Sequence, residues 1–198
     1  MARRRKVSLE RLDVVGTLLA QHTDMLLVCG LGNPCWDVRS ITDRDDFFYM
    51  WGGMGGATMM GFGLARAQPD RHVMVLTGDG EMLMGMGSLA TVAVTKPRNL
   101  AIVVLDNEHY GETGMQTTHT HHNTELVAIS KGAGLKSSCT VYNRKELDAA
   151  VLRLFAGPTS TFTCIKVTTS SGRNTLPPRH GSFVKDRFRR SVLGDANL

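Results

Sequence analysis

The sequence lacks several patterns that would place a protein in a class at once. Its four cysteines form no CxxC pair and no other metal-ligand spacing, so we expect reduced thiols and no zinc or iron–sulfur centre. No run approaches the roughly 18 apolar residues of a membrane span, and neither form of the phosphate loop, GxxxxGKS or GxxxxGKT, occurs. The basic amino terminus continues into a mixed segment, unlike a signal peptide. We therefore expect a cytoplasmic protein that does not contact a membrane.

The net charge of +5 does not indicate a nucleic-acid-binding protein, because the basic residues concentrate at the two ends. Eight of the 23 basic residues lie in the terminal segments Arg3–Lys6 and Lys185–Asp195. Without those segments the chain has 15 basic and 16 acidic residues, so its body is nearly neutral. Nucleic-acid binding requires basic residues clustered on one face. We expect no nucleic-acid partner.

Apolar, β-branched runs alternate with helical patterns along the chain. The predicted strands are Met25–Cys29, Phe47–Met50, Val73–Thr77, Leu100–Leu105, Cys139–Val141 and Phe162–Val167, with a loop at Gly30–Pro34. The predicted helices are Val7–Ala20, Met54–Ala67, 82–95, Leu126–Gly132, Arg144–Phe155 and Phe183–Leu193. This alternation predicts an α/β fold, a doubly wound parallel sheet with helices on both faces. We assign residues 1–174 to one domain and 175–198 to a linker and a C-terminal basic helix.

Two of the predicted strands run directly into polar residues. Val73–Thr77 is followed by Gly78-Asp79-Gly80, and Leu100–Leu105 is followed by Asp106 and Asn107. Ligands of open α/β sheets bind at the carboxyl ends of the strands. A carboxylate, an amide oxygen and backbone carbonyls are suitable ligands for Mg²⁺, which completes its octahedron with phosphate oxygens and water. The pattern predicts a diphosphate held through a divalent cation, although Gly-Asp-Gly alone is equally good turn chemistry.

The stretch that joins these two motifs, GDGEMLMGMGSLATVAVTKPRNLAIVVLDN, resembles the fingerprint of thiamine diphosphate enzymes. The following segment, YGETGMQTT at Tyr110–Thr118, resembles the YGSTGGQ-type segment of sulfopyruvate and phosphonopyruvate decarboxylases. The resemblance covers roughly residues 24–170. It implies a thiamine-diphosphate-binding fold, with thiamine diphosphate and Mg²⁺ as cofactors. It also implies that Asp79, Asn107 and the backbone carbonyl of His109 are the metal ligands.

A glycine-rich turn, Trp51–Ala57, precedes this stretch, and its Met54 lies 25 residues before Asp79. By resemblance, Met54 is the wedge that bends the cofactor into a V shape, and the carbonyl of Gly52 accepts a hydrogen bond from the aminopyrimidine. The other cofactor contacts that we expect are Asn33, Gly78, Gly80, Glu81, Tyr110 and Gly111. An alternative stays open, in which the six glycines between Gly52 and Gly63 serve close helix packing and Met54 is ordinary core.

The loop after Asn107 is the most ambiguous part of the sequence. Its three histidines, His119, His121 and His122, give only weak support for zinc, because no cysteine lies nearby. They fit either a proton-donating lid over an acidic substrate or an exposed polar loop. We take His119 and His121, with Met54, as catalytic candidates. Glu112 replaces the Ser of the resembling segment and would repel a strongly anionic substituent unless it is paired.

The resemblance implies the beta subunit of a heteromeric decarboxylase. Such a subunit would act nonoxidatively on an acidic 2-oxo acid like sulfopyruvate or phosphonopyruvate, and would be a carbon–carbon lyase only together with its partner. The alternatives are a carboligase subunit of the acetolactate-synthase kind and a noncatalytic cofactor-binding subunit.

A partner is expected because the glutamate that activates thiamine diphosphate belongs, by resemblance, to a different domain. A chain of 198 residues leaves no room for that second domain. We therefore expect a separate alpha subunit of the pyrimidine-binding type, in an α₂β₂ or larger assembly. Apolar surface around Met54 and Met82–Met86 is where we expect it to dock.

Overall fold

The secondary structure of the chain is taken from a computed structural model, which describes residues 5–170 and 175–195. The strands are β1 (Met25–Cys29), β2 (Phe47–Tyr49), β3 (His72–Gly78), β4 (Leu100–Asp106), β5 (His109–Tyr110), β6 (Gln116–Thr117), β7 (Ser138–Val141) and β8 (Thr161–Lys166). The helices are α1 (Arg11–Gln21), α2 (Asn33–Ile41), α3 (Ala57–Ala67), α4 (Asp79–Met84), α5 (Ser88–Thr95), α6 (Leu126–Ala133), α7 (Arg144–Val151) and α8 (Gly181–Leu193). A short 3-10 turn spans His119–His121.

Six of these strands form one parallel sheet in the order β2-β1-β3-β4-β8-β7. Side chains along each strand alternate between two hydrophobic clusters. Met74 and Leu76 of β3 join the cluster packed by α1, α2 and α7, whereas Val73 and Val75 join the cluster packed by α3, α5 and α6. Helices therefore cover both faces, and the predicted doubly wound α/β fold is confirmed.

The strand order reverses between β1 and β3. From β1 the chain adds β2 on one side, and it then crosses back to add β3 and β4 on the other. Loops at such a reversal diverge and leave a crevice outside the carboxyl ends of the strands. The segments that follow β1, β3 and β4 therefore meet at the edge where the sequence predicts a ligand.

One loop prediction and one helix prediction were wrong in ways that shape this edge. The predicted loop at Gly30–Pro34 already contains the start of α2, where Pro34 occupies the first turn, a position that tolerates proline. The predicted helix 82–95 is instead two helices, α4 and α5, separated at Gly85–Gly87. A Cβ on Gly85 would lie 2.3 Å from the carbonyl oxygen of Gly55, so the break lets α4 contact the glycine-rich turn.

The carboxyl-terminal segment packs along β2, the outermost strand on one side. Arg187 of α8 forms a fork with the carboxylate of Asp43 at 2.8 and 2.9 Å, and the ring of Phe188 meets Phe48 edge-to-face. Trp51 Nε1 also donates a hydrogen bond to the Pro178 carbonyl at 2.9 Å.

The predicted domain boundary at residue 174 and the basic residues Arg3 and Arg4 lie outside the described residues, so the division into 1–174 and 175–198 stays a prediction.

In the described ranges, 5–170 and 175–195, no helix combines the length and the apolar character that crossing a membrane requires. The cytoplasmic location expected from the sequence stays a prediction.

Gly61 shows that one part of the glycine-rich region serves packing. It lies on the buried face of α3, where a Cβ would come within 2.2 Å of Val75 Cγ2, a stiff β-branched side chain in a central strand. We predict that Gly61→Ala lowers the free energy of unfolding by about 1–3 kcal/mol through overpacking. Gly63→Ala is the matched control, since a Cβ there meets nothing within 4 Å and should stabilise the helix by about 0.5–1 kcal/mol. Urea denaturation of both variants measures the difference, and equal effects would contradict the packing role of Gly61.

Candidate functional site

A cavity opens at the carboxyl edge of the sheet, between the segments that follow β1, β3 and β4. Ten of the predicted site residues line it: Asn33, Met54, Gly78, Asp79, Gly80, Glu81, Asn107, His109, Tyr110 and Gly111. Seven further residues line it that the sequence did not assign to cofactor binding or catalysis: Arg11, Leu31, Gly32, Pro34, Leu105, Glu112 and Thr113. Gly52, His119 and His121 are not among the lining residues. Residues up to 102 positions apart in the chain thus converge on one site.

Asp79 is the most buried acidic group of the cavity and the first residue of α4. Its Oδ2 accepts hydrogen bonds from the hydroxyls of Thr118 at 2.5 Å and Thr120 at 3.2 Å. Burial, reinforced by the neighbouring Asp106 carboxylate, raises the pKa of Asp79 to about 6. Within the described residues Asp79 has no ion-pair partner, whereas Asp106 is paired with Lys166 at 2.7 Å. A divalent cation would supply the positive charge that balances the Asp79 carboxylate.

Asn107 and His109 are held by a tight turn at the end of β4. Asp106 Oδ1 accepts the backbone N–H of Glu108 at 3.1 Å, and Asn107 Oδ1 accepts that of His109 at 3.0 Å. Glu108 has a φ of +65°, an uncommon conformation for a residue with a side chain. The imidazole Nδ1 of His109 lies 2.9 Å from the carbonyl of Asn107. The turn therefore fixes the backbone at both predicted ligand positions.

No group of three His, Cys, Asp or Glu side chains in residues 5–170 and 175–195 is arranged to hold a metal ion. The predicted cation site consequently depends on the Asn107 amide and backbone carbonyls beside the single Asp79 carboxylate. Hard oxygen donors of this kind suit Mg²⁺, which keeps several non-protein ligands.

Glu81 carries an unsatisfied oxygen in the wall of the cavity. Its side chain is buried, and Oε2 accepts a hydrogen bond from Thr77 at 2.6 Å, but Oε1 has no hydrogen-bond partner among the described residues. Burial raises the pKa of Glu81, whereas the bond from Thr77 and the backbone N–H groups of Ala57, Gly55 and Leu31 lower it in part. These N–H groups lie near the carboxylate but form no hydrogen bond of normal geometry with Oε1. Buried polar atoms in folded proteins are nearly always paired. An unpaired oxygen here fits a site that accepts a donor from a bound molecule.

Two charged residues of the cavity were not assigned to cofactor binding or catalysis from the sequence. Arg11 of α1 is buried and bonded to Asp37 of α2, with its Nη2 3.3 Å from Asp37 Oδ1, so its charge is already balanced. Glu112 is exposed at the mouth of the cavity, and its Oε1 occupies the space beside Gly32. The only sequence signal for Arg11 was a charge on the apolar side of an amphipathic helix.

The three histidines of the predicted lid do not line the cavity. His119 is exposed. His121 Nδ1 lies 3.4 Å from Glu108 Oε2, and its ring contacts those of His109 and His122 edge-to-face. Thr118, just before the histidines, and Thr120, between His119 and His121, are buried and contact Asp79. A catalytic role for His119 and His121 stays a prediction.

The methionines near the glycine-rich turn differ in exposure. Met54 lines the cavity and is 37% exposed, and Met84 at the end of α4 is 68% exposed. Met82 was expected at the same surface, but it is buried in the core with 1% exposure. Because α4 is a single short helix, residues two positions apart point in different directions. The apolar surface is therefore formed by Met54 and Met84 without Met82.

The fold is shared with enzymes that use thiamine diphosphate, also called thiamine pyrophosphate. The 4-hydroxybenzoylformate decarboxylase of Rhodococcus jostii RHA1, a thiamine-diphosphate-dependent enzyme, superimposes with a TM-score of 0.71 over 88% of this chain and 35% of that one, at 21% identity. Residues 35–167 match the family model of the C-terminal TPP binding domain of thiamine pyrophosphate enzymes. The chain belongs to this family.

Two relatives within this family are more similar to the chain in sequence than the structural neighbour is. The sulfopyruvate decarboxylase subunit beta of Methanococcus maripaludis is 39% identical over 145 residues, which are 73% of this chain and 77% of that protein. The phosphonopyruvate decarboxylase of Streptomyces viridochromogenes is 34% identical over 185 residues, which are 92% of this chain and 46% of that protein. The chain thus spans about half the length of the second relative. The family resemblance inferred from the sequence is confirmed.

Because the pKa of Asp79 is raised, we predict that the free energy of unfolding of the metal-free protein falls as pH increases. The folded-state pKa of about 6 exceeds the ordinary value of 3.8, so the stability contributed by the protonated group is present below about pH 4 and is lost as pH rises through 6. Asp79→Asn removes this loss. We expect the variant to exceed the wild type in unfolding free energy by about 1–3 kcal/mol at pH 8, and the gain to vanish near pH 4.

Denaturant titrations at several pH values without Mg²⁺ or thiamine diphosphate measure this difference. Asp148→Asn, an exposed aspartate on α7, is the control and should show no such gain at high pH. A constant difference between Asp79→Asn and the wild type from pH 4 to 8 would contradict the assignment of the penalty to Asp79.

Proposed function

We propose that this chain is the beta subunit of a thiamine-diphosphate- and Mg²⁺-dependent 2-oxo acid decarboxylase. The observation that carries the proposal is the convergence of Met54, Asp79 and Asn107 on one cavity at the carboxyl edge of the sheet. The two curated relatives, which are named decarboxylases, support the same reaction type.

The residues of the cavity divide into two groups. Asp79, Asn107 and the backbone carbonyl of His109 would hold Mg²⁺ and, through it, the diphosphate. Met54 would support the bent form of the cofactor, and the Gly52 carbonyl would accept a hydrogen bond from its aminopyrimidine. Asn33, Gly78, Gly80, Glu81, Tyr110 and Gly111 would surround the remainder. When bound, thiamine diphosphate supplies a carbon nucleophile and an electron sink, while the protein orients it and excludes water.

The proposal includes a separate alpha subunit that supplies the activating glutamate. Relatives named as a beta subunit imply such a partner. Met54 and Met84 are exposed beside the cavity, where a second subunit would cover them. Two alpha and two beta chains, or a larger symmetric assembly, would complete the sites.

The substrate we propose is an acidic 2-oxo acid of the sulfopyruvate or phosphonopyruvate kind. Within this chain, Arg11 is already balanced by Asp37, and Glu112 adds negative charge at the mouth of the cavity. Groups that bind the anionic substituent would therefore come from the partner subunit. The substrate should thus be set jointly by both subunits.

The decisive experiment compares the chain alone with the chain co-expressed with an alpha-type subunit. We expect CO₂ and aldehyde in equal amounts only from the assembly, because the activating glutamate lies outside this chain.

Asp79→Ala in the same assembly should bind thiamine diphosphate about a thousandfold more weakly, since it removes a ligand of a hard cation.

Other results of the co-expression experiment would each indicate a different function. A hydroxyketone that forms only with an added acceptor would indicate a carboligase. Cofactor binding without turnover in any assembly would indicate a noncatalytic subunit. Full decarboxylation by the isolated chain would contradict the two-subunit proposal, and Glu81 or Glu112 would then be the candidate activating carboxylate.

Met54 provides a separate test of the glycine-rich turn. Met54→Ala should weaken thiamine diphosphate binding modestly and lower turnover, whereas Met54→Leu should be tolerated because it keeps volume and apolarity. Met59→Ala is the matched control, because Met59 is similarly exposed at 41% but does not line the cavity. Steady-state kinetics of the assembled enzyme at varied thiamine diphosphate concentrations measure both the affinity for the cofactor and the turnover rate. Full activity of Met54→Ala would show that Met54 is not the wedge.

A further inference from the structure

Two threonines that do not line the cavity contact the carboxylate of Asp79. Thr118 follows β6, Thr120 lies in the 3-10 turn, and both side chains are buried, with exposures of 0% and 6%. Both hydroxyl oxygens lie within hydrogen-bond distance of Oδ2 of Asp79, at 2.5 and 3.2 Å. Within the described residues, Oδ1 of Asp79 receives no hydrogen bond from another side chain. The two oxygens of one carboxylate are therefore in different environments.

Proton accounting shows that the two hydroxyls have different tasks. Each hydroxyl has one proton to donate. The proton of Thr118 goes to Asp79, its shortest contact. Thr120 lies closer to Asp106 Oδ1, at 2.8 Å, than to Asp79, and its oxygen is 2.9 Å from that of Thr118. Thr118 is thus the principal support of Asp79, and Thr120 bridges Asp79 to the Lys166-paired Asp106.

The backbone around the threonines is tied to the turn that carries Asn107. The N–H of Thr118 donates to the carbonyl of Glu108 at 2.8 Å, and the N–H of His121 donates to the carbonyl of Thr118 at 3.1 Å. Glu108 lies between the two predicted ligands Asn107 and His109. The loop therefore fixes the hydroxyls relative to both strand ends.

We propose that Thr118 and Thr120 are positioning residues that orient the Asp79 carboxylate toward a bound cation. The torsion that turns a carboxylate about its bond to Cβ is broad, so the side chain alone does not fix which oxygen faces the cavity. The hydroxyl of Thr118 donates to Oδ2, and the hydroxyl of Thr120 contacts the same oxygen while bridging to Asp106. Together they fix that rotation and leave Oδ1 for the metal. Groups that orient a metal ligand in this way commonly change metal affinity by about 10–100-fold when removed. This inference rests on the proposed function, because it concerns the same cation.

Valine is the discriminating substitution, because it keeps the shape of threonine and removes only the hydroxyl. We expect Thr118→Val to raise the Mg²⁺ dissociation constant by about 10–100-fold at saturating thiamine diphosphate. Thr118→Ser retains the donor, so its Mg²⁺ dissociation constant should stay within about threefold of the wild-type value, clearly below the roughly 10-fold change expected when the donor is removed. Thr120→Val should have the smaller effect, since its contact with Asp79 is longer and shared. Thr117→Val, an exposed threonine one position away, is the control.

The measurement is calorimetric titration of Mg²⁺ into the full chain with thiamine diphosphate, alone and in the assembly with an alpha-type subunit. Unfolding free energies are measured in parallel without Mg²⁺. A merely structural role would lower stability without Mg²⁺ and leave the dissociation constant of the folded protein unchanged. If Thr118→Val does not fold, Thr118→Ala compared with Thr118→Ser asks the same question.

The outcomes separate this inference from the proposed function. If the wild type binds thiamine diphosphate without Mg²⁺ dependence, both fail. If the wild type requires Mg²⁺ but Thr118→Val binds it within twofold of the wild type, only the positioning role is overturned. Equal losses in Thr118→Ser and Thr118→Val, or a similar loss in Thr117→Val, would overturn it as well.

Discussion

The negative charge of Asp79, which has no ion-pair partner in the part of the chain that the structure describes, is the constraint on which the rest of the site depends. The carboxylate is buried at the end of β3, next to a second carboxylate, Asp106, whose charge Lys166 already balances. Burying an uncompensated charge is costly, and folded proteins respond by raising the pKa or by binding a counter-ion. Much of the surrounding structure either moderates this cost or leaves a place for a cation. The threonine hydroxyls do the first, and the cavity and the turn at Asn107 do the second.

The parallel sheet explains why these groups meet at all. Parallel strands bring their carboxyl ends to one edge, and the reversal of strand order between β1 and β3 opens the crevice there. Asn33, Asp79 and Asn107 follow three different strands that are neighbours in the sheet. The break between α4 and α5 then brings the backbone of Gly85 against Gly55, so that Met54 reaches the same cavity. The site is thus a product of topology more than of any one segment.

Much of this was predictable from the sequence, for physical reasons. Buried parallel strands are continuous apolar runs, so β1, β3 and β4 stand out, and the polar residues that end them mark the ligand edge. The features that sequence reasoning missed depend on contacts between distant residues. The helix α2 places Asp37 inward, which breaks its apolar stripe, and the compensating Arg11 lies in another helix. The division of 82–95 depends on Gly55, 30 positions before Gly85. Thr118 and Thr120 are small polar residues in a loop, and only the folded chain shows that they are buried.

The attachment of α8 to β2 has a consequence for how the protein behaves among other molecules. Phe48 and Tyr49 point to opposite faces of the sheet, yet Phe188 contacts the first and Arg187 lies over the ring of the second, at 5.6 Å. A helix that touches both must lie across the open side of the strand. Uncovered strand edges present free backbone groups on which other chains add strands, the first step of many aggregates. The residues of α8 therefore shield one edge of the sheet from added strands, a task unrelated to the chemistry of the cavity.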